Sequence, residues 1–572
     1  MISSSRLGPQ EHDEAWRRLD GQSFDVLVIG GGVTGTGVAL DATTRGLSTA
    51  LVEARDFASG TSSRSSKLFH GGVRYLEQLN FGLVREALRE RELMLTTLCP
   101  HLVRPVSFLY PLKGKVWERP YVGAGLLLYD TLGGKSSLPR HRHLTRGQAQ
   151  ALAPALRRDA LVGGVRYYDA QVDDARHTMT LARTAAHHGA VVRSSTEVIE
   201  LVRDGGRVVG ARVRDTDTGA ECDVRARVVI NCTGVWTDDV QRMSQSRGRF
   251  RVRASKGVHL IVPGDLISAD TGMILRTEKS VLFVIPWGDR WIIGTTDTDW
   301  ELDRAHPAAS RDDIDYLLEQ VNSVLTVPIT GDHVVGVYAG LRPLLAGESD
   351  DTSQLSREHA VASSVPGLVS VAGGKYTTYR VMARDAVDAA VGDLGRLVAP
   401  SVTERVPLLG ADGYAAMTNR LEALAADLGV PVWRLERLLG RYGSLVADVL
   451  APVADDLRLG DPVPGAEDYL GAELRYAASH EGAVHLDDLL TRRTRISIET
   501  THRGVDCARA VAAIVGPVLG WSPETVEREV ETYVARVESE RASQREREDE
   551  AADAARLLAP ELRRTRVTST LA

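Results

Sequence analysis

Residues 24–53 restrict the fold more than any other stretch of the chain. Phe24–Ile29 (FDVLVI) is apolar but for Asp25, the pattern of a buried strand. It passes without a spacer into Gly30-Gly31-Gly32-Val33-Thr34-Gly35, in which Gly30, Gly32 and Gly35 match G-x-G-x-x-G. Such glycines allow a tight strand-to-helix turn and close backbone approach to a pyrophosphate, with a helix N-terminus aimed at its charge. The spacing predicts a helix over 34–45 closed by Gly46, then a second strand, Thr49–Glu53. Glu53 falls where a carboxylate hydrogen-bonds two free ribose hydroxyls and repels a 2′-phosphate. A dinucleotide is therefore expected, with FAD and NAD open and NADP disfavoured.

Three remote segments favour the flavin. Ser62-Ser63-Arg64-Ser65-Ser66-Lys67 leads into HGGVRYLE; Asn231-Cys232-Thr233-Gly234-Val235-Trp236 follows the strand 227–230; and AGGKYTTYR, with Gly374 and Lys375, follows the strand 368–371. Each ends in a glycine turn before a helix start, which presents backbone N–H groups to a ligand. A nicotinamide domain needs one compact βαβαβ unit, whereas a flavin stretched across a domain collects contacts from distant segments.

With these motifs on the page, the sequence resembles the FAD-dependent, aerobic, quinone-linked glycerol-3-phosphate dehydrogenases. The resemblance is carried by the stretch from GGGVTGTGVALD to SSKLFHGGVRYLE, by NCTGVW, SKGVHLIVP, IPWGDRWIIGTTDTD, GLRPLL and AGGKYTTYR, and by RYAASHEGAVHLDDLLTRRTRI near 475–496. It implies oxidation of sn-glycerol 3-phosphate to dihydroxyacetone phosphate by hydride transfer to FAD, with electrons passed to a membrane quinone. It also implies a cytoplasmic protein attached peripherally to the inner face of the cell membrane, often as a homodimer. A glycerol-3-phosphate oxidase using O2 and a non-catalytic flavin-binding protein remain as alternatives at this stage.

Oxidising a secondary alcohol at a flavin requires a hydride path, a proton acceptor and, for so small a substrate, an anchor for the phosphate. The resemblance places substrate groups at Arg74 and Tyr75 in HGGVRYLE, His259 in SKGVH, Arg342 in GLRPL, Arg357 in LSREH and Lys375 in GGKYT. His259, Arg342 and Lys375 are the expected catalytic set, with Arg74, Tyr75 and Arg357 binding substrate. Histidine is the natural proton acceptor by its intrinsic pKa. In the other reading Arg342 orients the hydroxyl while water or His259 takes the proton. Thr295-Thr296-Asp297 reads as a turn framing the site. For the cofactor, Gly30, Gly32 and Gly35 are expected at the pyrophosphate and Glu53 at the adenosine ribose. Ser62, Ser63, Ser66 and Lys67 are expected on the flavin side, with Thr233, Gly234 and Gly374 beside the ring. His141 and His143 have ligand-like spacing but no acidic or cysteine companions, so no metal is expected.

Composition sets the outer limits. The 572 residues carry a net charge of −7, so no global basic field attracts nucleic acid. The four cysteines form no C-x-x-C pair, which points to a reducing compartment. The polar opening, MISSSRLGPQEHDEAWRRLD, has no apolar core of leader type, and no run approaches a membrane span. The expected architecture is α/β: a Rossmann-like FAD-binding domain with a β-sheet-rich substrate domain and a C-terminal all-α domain. The expected boundaries are a polar extension over 1–23 and interleaved FAD and substrate domains over 24–400, the substrate part at 100–165 and 250–350. A helical domain over 401–536 and a charged tail over 537–572, read as a solvated surface segment, complete the chain.

Overall fold

The computed structural model describes residues 5–72, 80–114, 118–133, 137–245, 250–277, 281–346, 359–563 and 565. Arg74, Tyr75 and Arg357 lie outside the described residues.

Ser23–Ile29 forms the centre of an eight-stranded sheet, paired in parallel with Thr49–Val52 on one side and Glu221–Asn231 on the other. Val191–Arg193 and Leu368–Gly373 extend it in parallel at either flank. Six of the seven residues of Ser23–Ile29 are buried, as expected of a parallel strand covered on both faces. One face packs on the helices Val33–Thr44, Asp174–His187 and Tyr379–Leu394 through Val26, Val28, Val38, Ala182 and Ala383. The other face is closed partly by the helix Pro9–Gly21, whose Ala15 and Leu19 join Phe24, Leu27 and Val229. Residues 9–21 are thus part of this domain and not an extension beside it. Their polar composition hides an apolar stripe only two residues wide.

A ten-stranded sheet forms the second layer. One of its two longest ladders pairs Val252–Pro263 with Gly336–Leu345 in antiparallel register, placing Ser255 opposite Arg342 and His259 opposite Tyr338. Beyond residue 408 the chain is helical apart from one small hairpin, Pro462–Val463 with Ala466–Leu470. This domain docks through buried ion pairs: Asp56 takes Arg492 and Arg493, while Asp173 and Asp174 take Arg495.

His485 adds a pH-dependent joint to the same interface. Its Nδ1 lies 2.8 Å from Glu529 and its Nε2 3.0 Å from Asp217, which sits on a turn of the first domain. Burial, and after it the nearby Arg563 charge, push the imidazole down, but Asp217 and Glu529 outweigh both and raise it to about 9. A folded pKa above the unfolded one contributes stability that is full below about pH 6.5 and lost as pH rises through 9. Against a His485→Gln variant, the wild type should lose about 3 kcal/mol of relative stability between pH 6 and 9.5. Denaturant unfolding of both proteins at the two pH values checks this; a constant difference would remove His485 from the joint.

Candidate active site

The two sheets and the C-terminal segment enclose a cavity of about 1740 Å³, larger than the roughly 300–1,000 Å³ typical of single small ligands. The room suits a dinucleotide with a substrate beside it. Gly30 and Gly32 line it, as do Glu53, Ser62, Ser66, Thr233, Gly234, Gly374, His259, Arg342 and Lys375.

The glycine loop fits a pyrophosphate cradle. Gly30 has φ +107°, and a Cβ there would lie 2.8 Å from the Cys232 carbonyl oxygen. Gly32 is the N-cap of the helix Val33–Thr44 and brings no side chain of its own to the helix N-terminus. Gly35 has another task. A Cβ at Gly35 would stand 1.9 Å from the Gly30 carbonyl oxygen, so it lets helix and strand pack, and it is not itself among the residues lining the cavity. Glu53 lines the cavity, with its carboxylate accepting from the Gly31 N–H at 2.6 Å and the Arg55 N–H at 2.9 Å. Burial raises its pKa, and those two N–H groups act against the shift.

The remote motifs meet because each is braced by another. Thr61 donates to the Leu341 carbonyl at 2.5 Å, joining the serine-rich segment to GLRPL. Gly340 permits that approach, since a Cβ there would lie 2.6 Å from the Arg64 carbonyl oxygen. Thr377 accepts from the His70 N–H at 3.2 Å, joining GGKYTTYR to HGG. Asn231 accepts from the Thr233 hydroxyl at 2.7 Å and shapes the turn that puts Gly234 at φ +58°.

Two serine-segment residues are not brought to the cavity wall, namely Ser63 and Lys67. Lys67 is fully buried, 2.9 Å from Asp174, and donates to the Ser63 carbonyl. With φ +57°, its backbone turns out of the extended path of its neighbours. A fully buried ammonium needs a carboxylate partner, and Asp174 supplies it on the side facing the C-terminal domain.

The expected catalytic groups converge. Arg342 donates to Thr295 Oγ1 at 3.0 Å and to the Thr296 carbonyl at 3.1 Å, with Asp297 at 3.3 Å. Thr295-Thr296-Asp297 thus fixes the guanidinium from behind. His259 is buried, with Nε2 2.8 Å from Ser66 Oγ, and stacks on Tyr338 at 4.7 Å between centroids. Its Nδ1 is buried and has no hydrogen-bond partner among the described residues. Burial, then the charges of Arg342 and Lys67, hold the imidazole well below its ordinary pKa. The imidazole is thereby held in its neutral form, with its basicity reduced.

Sequence reading missed the residues that wall the Glu53 end of the cavity: Arg304, His306, Asp553, Arg556 and Glu561. None belongs to a motif, and hundreds of residues separate them from the glycine loop. His141, of the ligand-like pair, is held by Asp130 at 2.7 Å.

Comparison with known proteins agrees with this geometry. Residues 25–380 match the FAD dependent oxidoreductase family, and residues 401–526 match the C-terminal domain of alpha-glycerophosphate oxidase. Glycerol-3-phosphate dehydrogenase 2 of Mycobacterium tuberculosis is 63% identical over 560 residues, covering 98% of this chain and 96% of that one. The human mitochondrial glycerol-3-phosphate dehydrogenase is 37% identical, covering 89% of this chain and 72% of its own length. The structure of glycerol-3-phosphate dehydrogenase from Bacillus halodurans, complexed with FAD, superposes with a TM-score of 0.77 at 29% identity, covering 93% of this chain and 98% of that one. L-alpha-glycerophosphate oxidase from Mycoplasma pneumoniae shares the fold, with a TM-score of 0.54 at 18% identity over 68% of this chain and 99% of its own. FAD is the cofactor that the cradle and the glycine loop accommodate, and the chain belongs to the family of FAD-dependent glycerol-3-phosphate dehydrogenases.

Proposed function

We propose that the protein oxidises sn-glycerol 3-phosphate to dihydroxyacetone phosphate and delivers the electrons to a membrane quinone. The observation that carries the reading is that Arg342, Lys375 and His259 all line the one cavity, with Arg342 near enough to His259 for its charge to lower the imidazole's basicity. When bound, FAD supplies the acceptor for the hydride from carbon 2. Arg342, already locked by three neighbours, offers a fixed fork to the substrate's anionic phosphate or hydroxyl. His259 holds the proton released by the hydroxyl, and an anionic substrate would offset the cations that now depress its basicity. Lys375 precedes the helical turn Tyr376–Thr378, so that its charge and the helix start both favour negative charge beside Gly374. Arg74, Tyr75 and Arg357 stay in the proposal as substrate groups on the strength of the family resemblance.

The quinone is favoured by the apolar part of the cavity lining. Phe81, Tyr121, Val122, Gly125 and Leu128 give that section an apolar lining. On the helix Glu118–Leu132, Tyr121 is 48% and Leu127 56% exposed, whereas Leu126 and Tyr129 are buried. The helix is thus half core and half outward apolar face, suited to lie against a lipid surface. Among the described residues no helix is long and apolar enough to cross a membrane, so attachment would be peripheral. Tyr121→Ser with Leu127→Ser should lower liposome binding and quinone reduction while dye-linked activity persists; Leu126 is unsuitable because its loss would open the core. Substrate-reduced protein should be reoxidised by a short-chain quinone far faster than by air-saturated buffer. Equal or faster reaction with O2, yielding hydrogen peroxide, would make the protein an oxidase. The homodimer is checked by the mass of the holoprotein in solution.

A further inference from the structure

The charged C-terminal segment is not wholly solvated: among its described residues Ala552, Asp553, Arg556 and Arg563 are buried. After the helix Pro523–Ser543 the chain turns and forms a second helix, Asp549–Arg556, which crosses to the cofactor cavity. Ala552 is fully buried with Val235 and Leu341, the immediate neighbours of Gly234 and Arg342. Asp553, Arg556, Leu557, Ala559 and Glu561 line the cavity, as do Glu53 and Thr196, and Glu561 is near enough to Arg55, two residues after Glu53, for the two charges to interact.

Charged anchors hold the segment at three places. Asp549 meets the buried Lys256, which also pairs with Asp313 at 2.6 Å. Glu561 meets His306, whose other ring nitrogen faces Arg556 at 3.3 Å. Arg563 makes a two-pronged contact with the buried Asp488, at 2.9 and 2.7 Å, and donates to Ser195 Oγ at 2.9 Å. Ser195 and Thr196 in turn donate their N–H groups to the Arg55 and Glu53 carbonyls. The last anchor is therefore fastened to the same loop that presents the Glu53 carboxylate. Lys256 and His306 belong to the substrate layer and Asp488 to the helical domain, so the segment bridges the two.

We propose that residues 549–563 are a clasp over the adenosine end of the FAD site, so that FAD enters before the clasp docks and leaves only after it undocks. The proposal rests on FAD in this cavity and is independent of the substrate or electron acceptor. Its anchors are ion pairs, strong when buried and costly to break one partner at a time, which suits a closure that is kinetically firm yet reversible. Arg556 lines the cavity while its guanidinium is held against His306 at 3.3 Å, which ties the clasp helix to the substrate layer.

The test is the rate of FAD release from purified holoprotein, followed as the rise of free-flavin fluorescence on dilution. Arg563→Ala should speed release at least tenfold, and removal of residues 544–572 should speed it further. Both should lower the thermal midpoint of the holoprotein by clearly more than that of the FAD-stripped protein, a split that a merely structural segment would not give. If the shortened chain does not fold, Arg563→Ala and Glu561→Gln decide the matter. Release rates within twofold of wild type in both point variants, or equal losses of midpoint with and without FAD, would overturn the clasp.

Discussion

Arg342→Ala should lower kcat/KM for glycerol 3-phosphate by about 2–5 kcal/mol, roughly thirty- to several-thousand-fold, the range for truncating one partner of a buried charge pair. The guanidinium sits on the cavity wall with its donors fixed by Thr295, Thr296 and Asp297, so little ordering remains to be done when an anion arrives. Arg342→Lys should recover only part of the loss, because a point charge cannot reproduce a planar fork. FAD content and thermal midpoint measured in parallel separate this effect from disruption around Asp297. A variant with full FAD and wild-type kcat/KM would remove Arg342 from the site.

Gly35→Ala should abolish stable FAD binding. A Cβ at this position would meet the Gly30 carbonyl oxygen at 1.9 Å, and that oxygen belongs to backbone that cannot swing aside. Relief requires moving the helix Val33–Thr44 off the strand Ser23–Ile29, which misaims the helix N-terminus and the loop together. The purified variant should be colourless and should not regain flavin absorbance with added FAD. Gly46→Ala is the useful contrast: an added Cβ there meets nothing within 4 Å, and the only expense is a left-handed φ of +81°, about 1 kcal/mol. That variant should keep its FAD.

The first βαβ unit was legible because its local signals agree. An apolar run, a glycine loop, a capped helix and a carboxylate lie in one stretch of thirty residues, and local physics alone fixes their order. Lys67 shows the limit. Read as a flavin contact from its place in SSRSSK, it is paired with Asp174 instead, since one left-handed residue sends the side chain to the opposite side. The C-terminal clasp shows a different limit. DEAADAARLL looks solvated because its charges are read as surface charges, yet Asp549, Glu561 and Arg563 meet partners between 75 and 368 positions away. A charge pattern tells nothing of a partner that only tertiary structure supplies. The convergence of SKGVH, GLRPL and GGKYT was reachable through family resemblance. Their bracing by Thr61, Gly340 and Thr377 was not, because small residues that permit contact look the same as small residues in any turn.

Anaerobic mixing of the FAD-replete protein with sn-glycerol 3-phosphate tests the central claim most directly, since it isolates substrate oxidation from the choice of electron acceptor. Flavin absorbance should bleach fully, with dihydroxyacetone phosphate appearing in step, while glycerol at the same concentration leaves the flavin oxidised because it lacks the phosphate that orients carbon 2. A flavin that stays oxidised under saturating glycerol 3-phosphate, or that bleaches equally fast with glycerol, would contradict the account.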